Sequence, residues 1–341
     1  MSGEYRDRLA AISYSPGVEE RYPEIAPLLA RARQRNLPVK ARNSPPTFEK
    51  FQDEKKHLYI HGERKSLLKK WKSHPRVIGA DEWCLVPVQG CPMDCCYCYL
   101  QSYLERPVVQ LWPGWTKLAE EIAEKIKSEG SNLNFSLGEF SDGLFLEPLL
   151  EFIPYVWEIF RGTTARLEIR TKSSHIRPVL DNLNPHDRGV FCWTLTPPEL
   201  ARRVELFSAP VKNRLEGMKA LLEAGYNVAV RFDPIFLVEN WFSCYRYLLQ
   251  EMKDYFSPAE LEYVMLGTFR FPAGFDRIMQ KRFSGLNCLR DEMVRCPDGK
   301  YRYFRNRRTE AYRRLNGLFS DYATEIKLCM EFSYIWEDVG L

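Results

Sequence analysis

From about residue 83 the chain alternates short apolar, β-rich runs with amphipathic stretches. The runs at 83–88, 133–137, 166–171, 190–195, 227–232 and 262–267 predict strands, being bounded by turn residues and rich in Val, Ile, Phe, Trp and Thr. The stretches at 115–128, 147–161, 214–224 and 241–255 carry apolar residues at helical spacing. Gly225 follows one of these helices where a C-cap glycine would sit. Six strands alternating with helices imply a parallel sheet, curled or open, of the α/β class. A partial (β/α)6 barrel of the TIM type fits the span 83–267, whereas an eight-unit barrel needs about 250 residues. The chemistry then belongs at the C-terminal ends of the strands.

Outside that rhythm the pattern changes. Residues 1–80 are rich in charge and proline, show no clear strand, and read as a basic N-terminal extension with one or two short helices. After 283 the rhythm stops. The basic run RYFRNRRTEAYRR at 302–314 predicts a helix with a solvated face. The expected organisation is an extension at 1–80, a barrel unit at 81–283 and a C-terminal extension at 284–341.

Composition narrows the function classes. Of 341 residues, 45% are hydrophobic and 28% are charged with mixed sign, which argues for a sizeable core and against disorder. A net charge of +4 permits a polyanionic partner without demanding one. No run of about 18 apolar residues suggests a membrane span, and the polar start MSGEYRDRLAAISYSPG lacks a signal-peptide core. A cytoplasmic location is therefore expected. In a reducing compartment clustered cysteines are more often metal ligands than disulfides. Four of the ten cysteines fall between 91 and 98.

That cluster reads VPVQGCPMDCCYCYLQSYL and follows the first strand of the βα series. Cys91, Cys95 and Cys98 are spaced C-x3-C-x2-C. Three thiolates on one loop hold three corners of a [4Fe–4S] cube. The fourth iron is left for S-adenosylmethionine (SAM), whose reductive cleavage gives a 5′-deoxyadenosyl radical. Zinc is the competing reading, but it usually wants a fourth Cys or His at short spacing, and the nearest histidine, His74, lies upstream in another context. Cys96 is off the pattern and reads as structural. Cys84, Cys192, Cys244, Cys288, Cys296 and Cys329 are scattered and read as core or surface thiols.

The stretch GCPMDCCYCYLQ resembles the cluster loop of the spore photoproduct lyase family of radical SAM enzymes. The likeness runs on through TK at 171–172, DPI at 233–235, FRFPAGFDRIMQKRF at 269–283 and the terminal LCMEFSYIW. It implies a partial barrel, a [4Fe–4S] cluster, SAM, and an electron donor such as flavodoxin or ferredoxin. In the lyases a cysteine just after the second strand, preceding Thr-Ser-Asp, returns a hydrogen atom to the product radical. Here the segment is FSLGEFSDGLFLEP: Ser141 and Asp142 match the Ser-Asp, Glu139 stands in the cysteine's place, and no cysteine lies between Cys98 and Cys192. A carboxylic acid cannot replace a thiol as hydrogen-atom donor, because its O–H bond is much too strong. The expected protein is lyase-like without being a true photoproduct lyase.

The resemblance also implies site residues. Glu139 would accept hydrogen bonds from the SAM amino group, the alternative being a helix-start carboxylate. Ser141 would sit beside it. Lys172 would meet the SAM carboxylate or ribose, or be a solvated strand-end lysine. Thr194 and Thr196 would bind ribose hydroxyls, and Asp233 would lie near adenine and substrate. Tyr97 and Tyr99 would belong to a hydrogen-transfer chain, or pack beside the cluster.

The partner is the open question. Lysine and arginine concentrate at 31–42, 64–76 and 300–314, interleaved with Trp71, Tyr301, Tyr303, Phe304 and Tyr312. Phosphate contacts plus stacking suit a nucleic acid or nucleotide substrate, though such runs are often solvated helix faces. A small molecule or peptide is the alternative substrate. A non-catalytic iron–sulfur protein is a third reading, which a test for SAM cleavage would exclude.

Overall fold

The computed structural model of the protein describes residues 8–78, 81–130, 132–286 and 291–341, so Cys288 lies outside the described residues. Its centre is an eight-stranded sheet. From one edge to the other the strands are Ile326–Leu328, Val264–Thr268, Asn227–Ile235, Gly189–Thr194, Arg166–Thr171, Asn134–Leu137, Glu82–Leu85 and Leu68–Trp71. All neighbours pair in parallel except the last two, which run antiparallel. The six strands expected from the sequence are the six middle ones, and the sheet curls into an open half-barrel.

Alternation along each strand sorts side chains between two faces. Leu167, Ile169, Phe191, Trp193, Val228, Val230 and Phe232 are buried in the main hydrophobic core. The opposite face is mixed: Val190, Cys192, Ala229 and Tyr263 form a small apolar cluster there, and the rest is charged. Glu168, Arg170, Arg231 and Asp233 point into the barrel and pair with one another, as described below. Gly225 has φ +86 just beyond the helix Val211–Glu223, and the Tyr226 N–H reaches back to the Leu221 carbonyl.

Four expectations are corrected. The first 80 residues are not strand-free. Ala11–Tyr14 pairs in parallel with Val39–Ala41 and His57–Ile60, and this sheet continues through Val109–Leu111 to the antiparallel Val88–Gln89. These strands hold two to four residues each and lie in charged sequence, too short to show a period. The rhythm does not end at 283 either, because Ile326–Leu328 adds a seventh parallel strand. The helix Arg305–Phe319 buries Arg308, Ala311 and Tyr312 rather than presenting only a solvated face. Arg308 pairs with Glu331, whose other oxygen accepts the Tyr312 hydroxyl at 2.8 Å. Finally, the single helix expected over 147–161 is broken into Glu147–Leu150, Ile153–Trp157 and a 3-10 turn. Glu151 takes φ +48 between them, and Pro154 opens the second piece because it has no N–H to continue the first.

Among the described residues no helix is long and apolar enough to cross a membrane.

Candidate active site

The cluster loop leaves the strand Glu82–Leu85 and is held from several sides. Gly90 (φ +94) lies so close to Val108 and Val109 that a side chain would collide with their backbone, and its N–H bonds the Phe140 carbonyl at 2.9 Å. The Cys96 N–H donates to the Val204 carbonyl (2.8 Å) and the Phe207 N–H to that of Met93 (3.1 Å). Gln101 donates its side-chain amide to the Cys95 carbonyl at 2.7 Å. Cys96 itself is fully buried with its sulfur toward the Arg203 carbonyl, as a structural thiol should be.

Asp94, between the first two cluster cysteines, is 1% exposed. Lys55 from the N-terminal region (2.9 Å) and Arg282 from the helix Phe275–Arg282 (2.9 Å) both grip its carboxylate. Burial alone would raise this carboxyl; the two cations outweigh it and hold it below its ordinary value. Asp94→Asn leaves two nearly buried cations uncompensated, so a loss of about 3 kcal/mol is expected in urea unfolding. The sign follows from the lowered native value. Asp94 contributes its full stability above about pH 4, the ordinary carboxyl value, and loses it progressively as pH falls from there through its own lowered native value. A wild-type-like urea midpoint for the variant at pH 7 would refute the clamp.

Cys91, Cys95 and Cys98 line one end of a cavity of about 550 Å³ at the mouth of the half-barrel. Burial pushes the Cys91 thiol up to about 12 and raises that of Cys95 as well. Such thiols become thiolates only against a strong positive charge, which cluster iron provides. Among the described residues no three His, Cys, Asp or Glu side chains converge for a single metal ion, so the zinc reading finds no ligand set. The three thiols on one loop, opening on a cavity with room for a further ligand, fit a [4Fe–4S] cube with one free corner.

The other expected residues Glu139, Ser141, Lys172, Thr194, Asp233, Tyr97 and Tyr99 all line the same cavity. Gly138 (φ +106) packs against the Arg170 carbonyl and sets Glu139 at the rim. The Glu139 carboxylate accepts Arg170 Nη1 at 2.7 Å and the Tyr99 hydroxyl at 3.0 Å. The Tyr99 hydroxyl also reaches the carbonyl of residue 139 at 2.9 Å. Tyr97 directs its hydroxyl into the wall, onto Glu205 Oε1 at 2.5 Å. Thr196 does not face the cavity: its hydroxyl is fully buried and donates to the same Glu205 oxygen at 3.0 Å, which corrects the ribose-binding expectation for it. Asp142 fastens the turn to the next strand, accepting Thr171 Oγ1 and the Lys172 N–H at 2.7 Å each.

The charged floor was not anticipated. Arg170 pairs with Glu82, Glu139 and Glu168. Asp233 is gripped by Arg270 (2.9 Å) with Arg231 at 3.6 Å, and these cations outweigh burial to hold its carboxyl at about 2. Glu205 is closed off by Arg214 at 2.5 Å. The available signal was charge at every second position of otherwise buried strands, as in RLEIRT and VRFDP. The cavity also holds a fourth thiol. Cys329 lies 3.0 Å from Arg231 Nη2 and 3.3 Å from Arg270 Nη2, whereas Cys192 is buried lower in the barrel beside Ala229 and Tyr263 and does not line the cavity.

Comparison with known proteins finds one family model and several similar chains. The family model "Spore photoproduct lyase" matches residues 21–325. The spore photoproduct lyase of Clostridium acetobutylicum is 23% identical over 211 residues, 61% of this chain and 62% of that enzyme, so the match spans about three fifths of its length. That of Bacillus subtilis is 23% identical over 278 residues, covering 80% of this chain and 78% of the relative. A solved spore photoproduct lyase complexed with dinucleoside spore photoproduct superposes with a TM-score of 0.79 at 19% identity, covering 94% of this chain and 97% of that one. A double mutant with bound AdoMet and the same dinucleoside gives 0.81 at 19% identity, over 95% and 98%.

Proposed function

We propose that this chain, which belongs to the spore photoproduct lyase family of radical SAM enzymes, takes hydrogen from a nucleic-acid base or nucleotide and does so without the lyase's thiol at the rim. The family's cofactors are a [4Fe–4S] cluster and SAM. When bound, they supply a 5′-deoxyadenosyl radical. The chain's own residues supply position, charge and shielding. Cys91, Cys95 and Cys98 would hold three irons of that cluster. Glu139, Ser141, Lys172, Thr194 and Asp233 ring the space in which SAM would lie. Glu139 would trade part of its bond with Arg170 for the SAM amino group, a charge-assisted contact. Lys172, 5.6 Å from the Tyr97 ring centroid and raised by the nearby Cys95 and Glu205 against the effect of burial, keeps a positive charge for the SAM carboxylate. The electron comes from outside, with a flavodoxin or ferredoxin as proposed donor.

The observation that carries this reading is the meeting of three cluster thiols with a carboxylate at position 139 in one cavity. The nucleic-acid class is supported by the dinucleoside bound in the similar structures and by the aromatic, basic mouth described next. The test is anaerobic reconstitution with SAM and a reductant. Formation of 5′-deoxyadenosine is expected, with deuterium moving between substrate and nucleoside in damaged DNA or RNA. Cleavage coupled only to metabolites or peptides would turn the assignment to the small-molecule alternative. No cleavage would overturn it.

A further inference from the structure

The basic segment 64–76 carries one tryptophan, and the fold brings it to the cavity. Trp71 ends the edge strand Leu68–Trp71 and lines the mouth with Tyr99 and Tyr103. The Trp71 ring lies 6.4 Å from Tyr99, edge to face, and 5.9 Å from Phe140. Tyr103 packs on Phe140 at 5.4 Å and on Tyr99 at 5.9 Å. Lys69 sets its ammonium over the Tyr103 and Phe140 rings at 4.9 and 4.8 Å and donates to the Tyr103 hydroxyl. An aromatic wall thus runs from Tyr99, beside Glu139, out to Tyr103.

Two features separate this wall from ordinary core packing. Tyr103 remains 44% exposed although it sits in an aromatic cluster. The cations Lys69, Lys72 and Arg76 lie along the same stretch of chain, and Lys72 and Arg76 are exposed. Open aromatic faces beside cations are the requirement for stacking bases while meeting phosphates. A cavity of about 550 Å³ is in the range of small-ligand sites. With a cofactor and the reacting base inside, the strand that carries the base must leave through the mouth. In the other basic-aromatic patch Tyr303 and Tyr312 are fully buried, and Phe304, though exposed, does not line the cavity.

We infer that Trp71, Tyr103 and Lys69 form a stacking platform for the nucleotide next to the reacting one, on a single-stranded or locally unpaired nucleic acid. This rests on the nucleic-acid reading above. An unpaired strand is required because the rings must meet the face of a base, which a stacked duplex hides.

The test is equilibrium binding of fluorescent single-stranded 12-mers of DNA and RNA, and of the matching duplex, to the anaerobically reconstituted protein. Trp71→Ala and Tyr103→Ala should each weaken single-strand binding by roughly 5- to 100-fold. Trp71→Phe and Tyr103→Phe should restore most of it, which a loss of folding would not allow. Lys69→Met should reduce the slope of log affinity against log salt by about one. Wild-type protein that binds single strands, with all alanine variants binding equally well, overturns the platform and leaves the site reading standing. Tighter binding of duplex than of single strand, insensitive to these residues, does the same. Wild-type protein that binds none of the three overturns the platform together with the nucleic-acid reading.

Discussion

Alanine at Cys91, Cys95 or Cys98 is expected to abolish the cluster, dropping reconstituted iron and sulfide from about four each per chain to near zero, together with the broad visible absorption and all SAM cleavage. The expectation rests on shared placement: the three thiols, on one loop, line one cavity, and each would hold one corner of a cube with no spare protein ligand. Cys96→Ala is the internal control. Its sulfur is buried toward the Arg203 carbonyl, away from the shared space, and its N–H is tied to Val204. Losing it leaves a small void costing about 1 kcal/mol, and most of the iron should remain. Loss of the cluster in Cys96→Ala with retention in Cys95→Ala would reverse the ligand assignment.

What could be read from the chain alone followed from regular spacing. The six middle strands were visible because each is a short β-rich run between turn residues, and the cluster ligands because three cysteines share one short loop. The strands Val39–Ala41, Leu68–Trp71 and Ile326–Leu328 were not, since three or four residues such as IKL carry no period and are strands only because a neighbour pairs with them. The site residues split the same way. Glu139, Lys172, Thr194 and Asp233 sit at strand ends, where an α/β barrel places its chemistry, and all reach the cavity. Thr196 lies one turn of the pleat further on and is taken by Glu205, a residue 108 positions from the tyrosine it also binds. Arg170, Arg231, Arg270 and Cys329 meet only in three dimensions, from four separate elements. Lys55 and Arg282 converge on Asp94 from opposite ends of the chain, and no local pattern announces such a meeting.

Offered spore photoproduct itself, the protein is expected to cleave SAM but to repair the lesion poorly or not at all. A radical made on the substrate must end somewhere, and the thiol that would meet it at the rim in the lyase pattern is replaced by Glu139. That carboxylate is spoken for by Arg170 and Tyr99, and its O–H, were it protonated, would be too strong to give up a hydrogen atom. The remaining fates are recovery of hydrogen from 5′-deoxyadenosine, transfer from Tyr99, fragmentation, or loss of an electron. The assay is a dinucleotide or oligonucleotide photoproduct under anaerobic, reducing conditions. Multiple turnovers to thymine, at a rate independent of added thiol and dithionite, would sink the expectation. The thiol to suspect would then be Cys329, which lines the cavity, rather than Cys192, which does not. Cys329→Ala would decide between them. Glu139→Cys is the complementary experiment, and the structure indicates that it is tolerable. Arg170 keeps Glu82 and Glu168, Tyr99 keeps the backbone carbonyl of residue 139 at 2.9 Å, and Gly138 still sets the position of the side chain. The cost should be about 1–3 kcal/mol, the range for one lost charge-assisted hydrogen bond. Partial gain of repair in this variant, with wild-type cluster content, is the expected result, and it would mean that the cavity already accepts the dimer and lacks only its hydrogen donor. Photoproduct binding without any gain would place the obstacle in the transfer of hydrogen to the product radical rather than in substrate binding.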